Sequence, residues 1–315
     1  MTHQTIPVLD LQDFVGGDRQ KADRFVQDLG TALHSLGFFA LVNHGIEQRV
    51  IQSAYNAAEA FFALPDETKA QYEIADLKGQ RGFTQFGKEH AKDSNAPDLK
   101  EFWHVGREAP TNHSVSYPDN IWPREVPQFH PVMVALFEAL ETCAEHLMAA
   151  CANYLQQPAN FFTTQVKEGQ TILRVIHYPP IEPEDTPNSQ RAAPHEDINL
   201  ITLLCEATTP GLELLQANGE WLPIEPIPGQ IIVDTGDMLQ ALSNGLLKST
   251  THRVVNPNNS RDQRFSMPFF VHPRPDFDLT PLSACVEQTG GEALYPVETA
   301  EEALEKRLKE IGLIS

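Results

Sequence analysis

The chain has 315 residues and a formal net charge of −20, with apolar and charged fractions that are ordinary for a globular protein. That length suits one large domain or two closely packed ones. The acidic balance argues against a nucleic-acid partner, because a surface that wraps nucleic acid needs clustered Lys and Arg. An anionic substrate would need a local basic pocket.

The start of the chain lacks the basic and apolar regions of a signal peptide, and no apolar run reaches the length of a membrane span. The cysteines are scattered and form no CxxC pair: Cys143, Cys151, Cys205 and Cys285. These features predict a cytoplasmic protein with reduced thiols. We expect a small-molecule substrate, no membrane or nucleic-acid partner, and a monomer or weak homodimer.

The first part of the chain predicts short strands and amphipathic helices. Residues 6–11 alternate in hydropathy and predict a strand, and residues 38–42 predict a second, buried strand. Apolar side chains at helical spacing predict a helix over residues 22–36, with Gly37 as its stop signal. A second helix is predicted to carry apolar positions from residue 50 to residue 62 and to stop before Pro65.

Residues 76–128 are rich in Gly, Pro, Asn and Asp, which predicts loops with short elements. Two segments stand out within them because they combine aromatic and charged side chains: Arg81-Gly82-Phe83 and Glu101-Phe102-Trp103-His104. A long apolar stripe over residues 129–155 then predicts an amphipathic helix that Pro158 closes.

From residue 171 the hydrophobic period changes from helical to two. Strands are predicted over residues 171–178, 198–205, 212–215, 230–234, 252–256 and 264–271. Helices first and clustered short strands afterwards indicate an α+β fold with a mainly β core, a sandwich or jelly roll, inside a helical shell. A charged helix is expected over residues 299–311, with Leu304, Leu308 and Ile311 facing inward.

His195 and Asp197 stand two residues apart, directly before an apolar strand. In an extended segment, residues i and i+2 project to the same face, so both side chains can point at one metal while Glu196 points away. His252 opens a later strand. Two imidazoles and one carboxylate on one side of a metal, with the other positions open, are the ligand set of non-haem iron(II) oxygenases.

Arg264 and Ser266 place a cation and a hydroxyl on one face of the next predicted strand. Arg grips a carboxylate with two parallel hydrogen bonds, and Ser adds a third donor. A dicarboxylic keto acid could therefore chelate iron at one end and be held here at the other. The apolar neighbours Phe265 and Phe269 predict a buried Arg, which needs an anionic partner.

Motifs along nearly the whole chain resemble the isopenicillin N synthase-like branch of the 2-oxoglutarate/iron(II) oxygenases. In the N-terminal half they are Ile6-Pro7-Val8-Leu9-Asp10, residues 37–46 and Phe61-Phe62-Ala63-Leu64-Pro65. In the C-terminal half they are His195-x-Asp197, Pro228-Gly229-Gln230, Gly236-Asp237-Met238-Leu239-Gln240, Ser243-Asn244-Gly245, Thr251-His252-Arg253-Val254-Val255-Asn256 and Arg264-x-Ser266. Together, and in this order, these motifs are highly specific.

The resemblance implies a double-stranded β-helix, which is a jelly-roll variant. In it, His195, Asp197 and His252 would bind Fe(II), and Arg264 and Ser266 would hold the distal carboxylate of 2-oxoglutarate. The implied reaction consumes O2, converts 2-oxoglutarate to succinate and CO2, and oxidises a small molecule by hydroxylation, desaturation or ring closure.

In many relatives, a strand that reads Asn-x-Tyr before a Pro also contacts the co-substrate. The matching strand here has Tyr178, but Ile176 stands in place of the Asn. The resemblance therefore implies a co-substrate contact from Tyr178 and leaves the contact from position 176 in question. It also divides the chain into an N-terminal region over residues 1–125, a catalytic core over residues 126–280 and a helical tail over residues 281–315.

Two alternatives stay open at this point. An iron-dependent oxidase of the isopenicillin N synthase type would not use the keto acid, although it would resemble this chain. A ligand-binding relative would carry out no reaction, but such a protein has no physical need to keep all three metal ligands.

Four residues are candidates for substrate contacts. Arg81 and Phe83 lie in the irregular region that contributes to the pocket mouth in relatives, and Arg81 would suit an acidic substrate. Asn199 shares a face with Asp197 by alternation, so it could orient a ligand or line the pocket. Phe270 follows on the predicted strand of Arg264 and completes the set.

Overall fold

The computed structural model describes residues 5–77, 79–90, 96–108, 117–181, 189–257 and 261–310. The helices within these residues are α1 (Leu11–Val15), α2 (Arg19–Ser35), α3 (Gln48–Phe62), α4 (Asp66–Ala70), α5 (Phe129–Tyr154), α6 (Thr163–Val166), α7 (Asp237–Leu242), α8 (Ser283–Gln288) and α9 (Ala300–Glu310), with a 3₁₀ turn at Ala75–Leu77. The strands are β1 (Val8–Asp10), β2 (Phe38–Val42), β3 (Gly82–Thr84), β4 (Glu101–Gly106), β5 (Ile172–Tyr178), β6 (Ala192–His195), β7 (Ile201–Cys205), β8 (Leu212–Leu215), β9 (Trp221–Ile224), β10 (Ile231–Thr235), β11 (His252–Val254), β12 (Arg264–Ser266) and β13 (Pro268–Val271).

The described strands form two sheets. The larger sheet has nine strands in the order β1-β2-β10-β7-β13-β5-β4-β3, and β12 also pairs with β5. The smaller sheet has four strands in the order β6-β11-β8-β9. β1 and β2 run parallel, whereas every other pairing among the described strands is antiparallel. A large and a small antiparallel sheet of this kind make up a jelly roll.

The two sheets pack face to face. One apolar cluster joins Phe38 of the larger sheet to Leu214 of the smaller sheet, and a second cluster joins Tyr178 to Val254. Polar side chains that point into the space between the sheets are therefore withdrawn from bulk water, where each of them needs a partner.

Helices cover the larger sheet on its other side. The Phe61 ring of α3 lies 4.8 Å from the Trp103 ring of β4, and the Phe137 ring of α5 lies 5.0 Å from the Phe269 ring of β13. These aromatic contacts belong to the main core, where α2, α3 and α5 pack together against the sheet. The helical shell around a mainly β core is thus confirmed.

The predicted helices are present as α2, α3 and α5. α2 begins before the predicted start because the Asp18 carboxylate caps it and accepts hydrogen bonds from the backbone N–H groups of Gln20 and Lys21. Gly37 follows its end with φ of +72°, a conformation that glycine adopts readily.

Residues 76–128 are more regular than predicted. β3 and β4 pair with each other, and β4 also pairs with β5 along its whole length, so the segment from Glu101 to Gly106 is buried inside the larger sheet. β6 and β9 were not predicted. Both are short and contain a proline, Pro194 and Pro223 respectively, which weakens the sequence signal for a strand.

The predicted strand over residues 264–271 is divided into β12 and β13 at Met267. β12 pairs with β5, whereas β13 pairs with both β5 and β7. The C-terminal helix is present as α9, and the predicted inward position at Ile311 lies outside the described residues. In the described part of the chain, no helix has both the length and the apolar character to cross a membrane.

Candidate active site

Strand register brings the two histidines together. β6 and β11 are antiparallel neighbours in the smaller sheet, and His195 lies directly opposite His252. Side chains directly opposite each other on antiparallel strands lie on the same face. The two imidazole rings are accordingly 4.5 Å apart between centroids.

Asp197 lies just beyond the end of β6 and completes the group. Its Oδ1 is 3.9 Å from Nε2 of His195 and 3.9 Å from Nε2 of His252. One ligand atom from each residue lies within 4.8 Å of the other two. The three donors therefore converge on one position that a metal ion can occupy.

Backbone carbonyls fix which nitrogen of each histidine faces that position. Nδ1 of His195 donates to the carbonyl of Ala193 at 2.7 Å, and Nδ1 of His252 donates to the carbonyl of Thr250 at 3.2 Å. Because a carbonyl can only accept, the proton resides on Nδ1 in both rings. Both Nε2 atoms are left as lone-pair donors toward the metal position.

A short chain of hydrogen bonds holds the carboxylate. The Thr202 hydroxyl donates to Oδ2 of Asp197 and leaves Oδ1 for the metal position. Nδ2 of Asn199 donates to the same hydroxyl oxygen at 2.9 Å. Asn199, a candidate substrate residue, thus lies behind the ligands and orients Asp197 through Thr202.

The protonation states favour metal binding. Burial and the neighbouring imidazole of His252 lower the pKa of His195 to about 4, so its ring is neutral at pH 7. Burial alone would raise the pKa of Asp197, but His252, His195 and the Thr202 hydroxyl together lower it. His195 therefore presents a neutral imidazole and Asp197 an ionised carboxylate, which are the forms that ligate a metal.

An inner cavity of about 60 Å³ lies between the sheets and is lined by all three residues of this group. β12 contributes Arg264 and Ser266 to its wall, and β5 contributes Ile176 and Tyr178, which pair with them across the two strands. The candidate co-substrate residues therefore share one cavity with the candidate metal ligands.

Arg264 is buried in this cavity with part of its guanidinium unpartnered. Its Nε donates to the carbonyl of Thr209 at 3.1 Å, and its side chain lies 5.0 Å from the ring centroid of Tyr178. Its Nη1 has no hydrogen-bond partner among the described residues. A buried guanidinium in this state needs an anion, and a carboxylate fits it best.

An outer cavity of about 120 Å³ adjoins the inner one and shares with it Lys100, Arg174, His195, Asp197 and Phe270. Its lining combines apolar and charged side chains. They come from β4, β5, β13, α9 and the segments around them: Gln80, Glu89, His90, Asp98, Lys100, His104, Ile172, Arg174, Glu196, Ile198, Phe270, His272, Leu304, Arg307 and Leu308.

A network of charged side chains forms one wall of the outer cavity. Lys100 donates to Asp98 at 2.8 Å and lies 3.4 Å from Oε1 of Glu89, and Arg174 donates to the same Oε1 at 3.1 Å. Arg174 also donates to Nε2 of His104 at 2.6 Å. Burial and the Arg174 charge hold the pKa of His104 well below its usual value, so this wall carries two cations and two anions.

The four candidate substrate residues occupy different places. Phe270 lines both cavities, and Asn199 lies behind Thr202. Arg81 is buried, donates to the carbonyl of Gln80 at 2.7 Å, and does not line either cavity. Phe83 packs in the aromatic core against Phe61, with 5.8 Å between ring centroids.

Sequence reasoning missed the charged wall and His272. Arg174 stands in an apolar strand between Leu173 and Val175, and His272 follows the apolar run of β13. A charged or titratable residue within a buried strand is a signal of function, and it could have been used here.

Comparison with known proteins shows which family the chain belongs to. Residues 6–125 match the family model described as the N-terminal region of non-haem dioxygenases in morphine synthesis, and residues 169–273 match that of the 2OG-Fe(II) oxygenase superfamily. A 2-oxoglutarate-Fe(II) type oxidoreductase of Emericella nidulans is 30% identical over 96% of this chain and 89% of its own length. The chain belongs to the 2OG-Fe(II) oxygenase superfamily.

Comparison with solved structures leads to the same family. A Caulobacter crescentus protein assigned to the 2OG-Fe(II) oxygenase family is 40% identical, with a TM-score of 0.84 over 97% of this chain and 98% of that one. A full-length Neurospora crassa protein, solved in complex with alpha-KG and thymine, is 27% identical, with a TM-score of 0.85 over 98% of this chain and 97% of that one. The protein described here is an enzyme with the jelly-roll fold that uses Fe(II), 2-oxoglutarate and O2 to oxidise a substrate.

The charged wall of the outer cavity predicts how the free energy of unfolding depends on pH. Burial would raise the pKa of Glu89, but Arg174, Lys100 and His104 lower it from 4.5 to about 2. A depressed pKa means that Glu89 stabilises the fold above pH 4.5 and that this contribution is lost as the pH falls toward 2. We expect Glu89→Gln to lower the free energy of unfolding by about 3 kcal/mol at pH 7, with a shrinking difference below pH 4.5.

Urea unfolding of both proteins from pH 7 down to pH 3 measures this difference. Glu47→Gln is the control, because Glu47 pairs with Arg49 at the surface, where both side chains are exposed, and should contribute little. A Glu89→Gln penalty that stays constant down to pH 3 would contradict the assignment.

Proposed function

We propose that His195, Asp197 and His252 hold the catalytic Fe(II), and that 2-oxoglutarate occupies the inner cavity with its distal carboxylate on Arg264 and Ser266. The observation that carries this proposal is the buried, unpartnered Nη1 of Arg264 in the cavity that the three metal-binding side chains also line. A keto acid with a second carboxylate satisfies both ends of this cavity at once.

The donor set fits Fe(II). Two imidazoles and one carboxylate leave coordination positions open, which is the arrangement of non-haem iron oxygenases. Bound Fe(II) supplies the open positions and the redox chemistry through which 2-oxoglutarate and O2 yield succinate, CO2 and an oxidised substrate. The carbonyls of Ala193 and Thr250 keep both imidazoles in the tautomer that this role needs.

The walls of the inner cavity suit the co-substrate. Tyr178 packs beside Arg264 and keeps the guanidinium in place. Ile176 is buried next to it and offers an apolar surface where many relatives have an Asn. The carbon chain of a keto acid can pack against Ile176, while Arg264 and Ser266 supply the hydrogen bonds to its carboxylate.

The substrate is a small molecule that binds in the outer cavity, which His195 and Asp197 also line and Arg264 does not. Phe270 lines both cavities and would separate substrate from co-substrate. The Neurospora crassa relative that binds thymine together with alpha-KG supports a substrate of this size. Arg307, Leu304 and Leu308 place α9 over the same cavity, where the helix limits the entry of water.

The enzyme is proposed to work in the cytoplasm as a monomer or weak homodimer. Cys143, Cys151, Cys205 and Cys285 are all buried and unpaired, which suits a reducing compartment. Sedimentation at micromolar concentration tests the oligomeric state, and a stable tetramer would contradict it.

Loss of the guanidinium should weaken co-substrate binding far more than it affects the fold. We expect Arg264→Gln to raise the Kd for 2-oxoglutarate about 100-fold, because one partner of a buried charged pair is removed. Equilibrium dialysis of the anaerobic, Fe(II)-loaded protein measures this Kd. Arg274→Gln is the control, since Arg274 pairs with Asp276 at the surface; equal affinity in both variants would refute the proposed binding mode.

Substitution of Thr202 tests whether its hydroxyl orients Asp197 as a metal ligand. We expect Thr202→Val to reduce Fe(II) affinity about 10- to 100-fold, because Asp197 loses the hydrogen bond that orients it. Thr202→Ser keeps the hydroxyl and should retain the affinity. Competition with a chromogenic chelator under anaerobic conditions gives both values, and equal affinities for Val and Ser would show that Asp197 needs no such support.

A further inference from the structure

One charged atom in the outer cavity lacks a partner. Oε1 of Glu89 accepts from Arg174 and lies 3.4 Å from Lys100, but Oε2 has no hydrogen-bond partner among the described residues. The Glu89 side chain is 10% exposed and lines the outer cavity. A buried carboxylate oxygen without a donor is costly, so a bound molecule that supplies one is favoured.

The cations that line this cavity are already paired. Lys100 has Asp98 and Glu89, Arg174 has Glu89, and Arg307 pairs with Asp237. None of these cations is left without a carboxylate in the described part of the chain. Among the described side chains that line the cavity, an anionic substrate would therefore find no Lys or Arg without a carboxylate partner.

A cationic substrate is disfavoured for the opposite reason. It would become the third cation around one carboxylate, because Arg174 and Lys100 already lie within 3.1 Å and 3.4 Å of Oε1. Like charges this close repel each other strongly in a buried site. A neutral N–H or O–H group satisfies Oε2 without that repulsion.

A second unpartnered group, on His272, further restricts the chemical class of substrate that fits the cavity. His272 is buried, lines the same cavity, and its Nδ1 has no partner among the described residues. Ile172, Ile198 and Phe270 supply apolar surface beside it. An amide or imide is a neutral group that carries an N–H for Glu89 and, on a neighbouring atom, a carbonyl or a second N–H for an imidazole.

We propose that the substrate is a small neutral molecule that presents an amide or imide group, and that Glu89 selects it by accepting its N–H. The inference rests on the proposed function, because it takes the outer cavity as the substrate site. It assigns Glu89 a role in specificity and His272 the role of a second contact. Neither residue is among the candidate metal ligands. Their proposed role is therefore to contact the substrate and select it, and not to hold iron.

Matched six-membered rings test this selection in the unaltered enzyme. Uracil carries imide N–H groups, 1,3-dimethyluracil lacks them, and orotate adds a carboxylate. Equilibrium dialysis against the anaerobic Fe(II)–2-oxoglutarate enzyme should show uracil binding at least about tenfold more tightly than either analogue, as a hydrogen bond to a charged group provides. Tighter binding of orotate, equal binding of the dimethyl compound, or no measurable binding of uracil overturns the proposal.

Glu89→Gln adds a test by reversal. The glutamine oxygen can still accept from Arg174 while its NH2 group turns a hydrogen-bond donor toward the cavity. The tenfold preference for uracil over 1,3-dimethyluracil should then disappear or invert. Glu47→Gln, at an exposed position that does not line the cavity, should keep the preference. A Glu89→Gln protein that keeps it as well overturns the role of Glu89.

The visible band of iron-chelated 2-oxoglutarate, recorded on the same samples, separates the two proposals. With the band present, a missing uracil preference contradicts the substrate assignment alone. If the band is absent from the unaltered enzyme, the assignment of iron and keto acid fails, and the inference fails with it.

Discussion

The rest of the site depends on one constraint: a carboxylate and two imidazoles lie together between the two sheets, where Asp197 and His252 are buried and His195 is partly exposed. A buried ionised group must be paired or must coordinate a metal. Asp197 meets this requirement through the Thr202 hydroxyl on one oxygen and the metal position on the other. β6 and β11 are neighbouring antiparallel strands, and their register places His195 and His252 side by side at that position.

The same constraint applies to two further charged side chains that line the cavities. Arg264 lines the inner cavity with an unpartnered N–H, and Glu89 lines the outer cavity with an unpartnered oxygen, among the described residues. We propose that each complements a bound molecule, 2-oxoglutarate at Arg264 and the substrate at Glu89. His195 and Asp197 line both cavities, so both molecules can reach the metal position.

Much of this could be predicted from the sequence, because it depends on local pattern. The spacing of His195 and Asp197, the change of period after residue 171 and the pair Arg264 and Ser266 are properties of short segments. β3 and β4 could not be recognised in this way. Their segments are bordered by Gly- and Pro-rich stretches, and their strand character comes from pairing with β5, which is distant in sequence.

The charged wall was missed for a related reason. Glu89, Asp98 and Lys100 look like ordinary surface charges in a loop, and their burial depends on Arg174, which is far along the chain. Conversely, Arg81 resembled a substrate contact, yet its guanidinium packs against Gly106 beside β4. Tertiary contacts, which a local pattern does not contain, decide which charges face the cavity.

The central claim is that iron and 2-oxoglutarate share the site formed by His195, Asp197 and His252. The most direct test is the visible charge-transfer band of the keto acid chelated to Fe(II), recorded anaerobically. The samples are the unaltered protein, His252→Ala and a control, His130→Ala. The His130 side chain pairs with Glu108 at the surface. We expect the band in the unaltered protein and in His130→Ala, and its loss in His252→Ala. A band that persists in His252→Ala, or is absent from the unaltered protein while iron is bound, would contradict it.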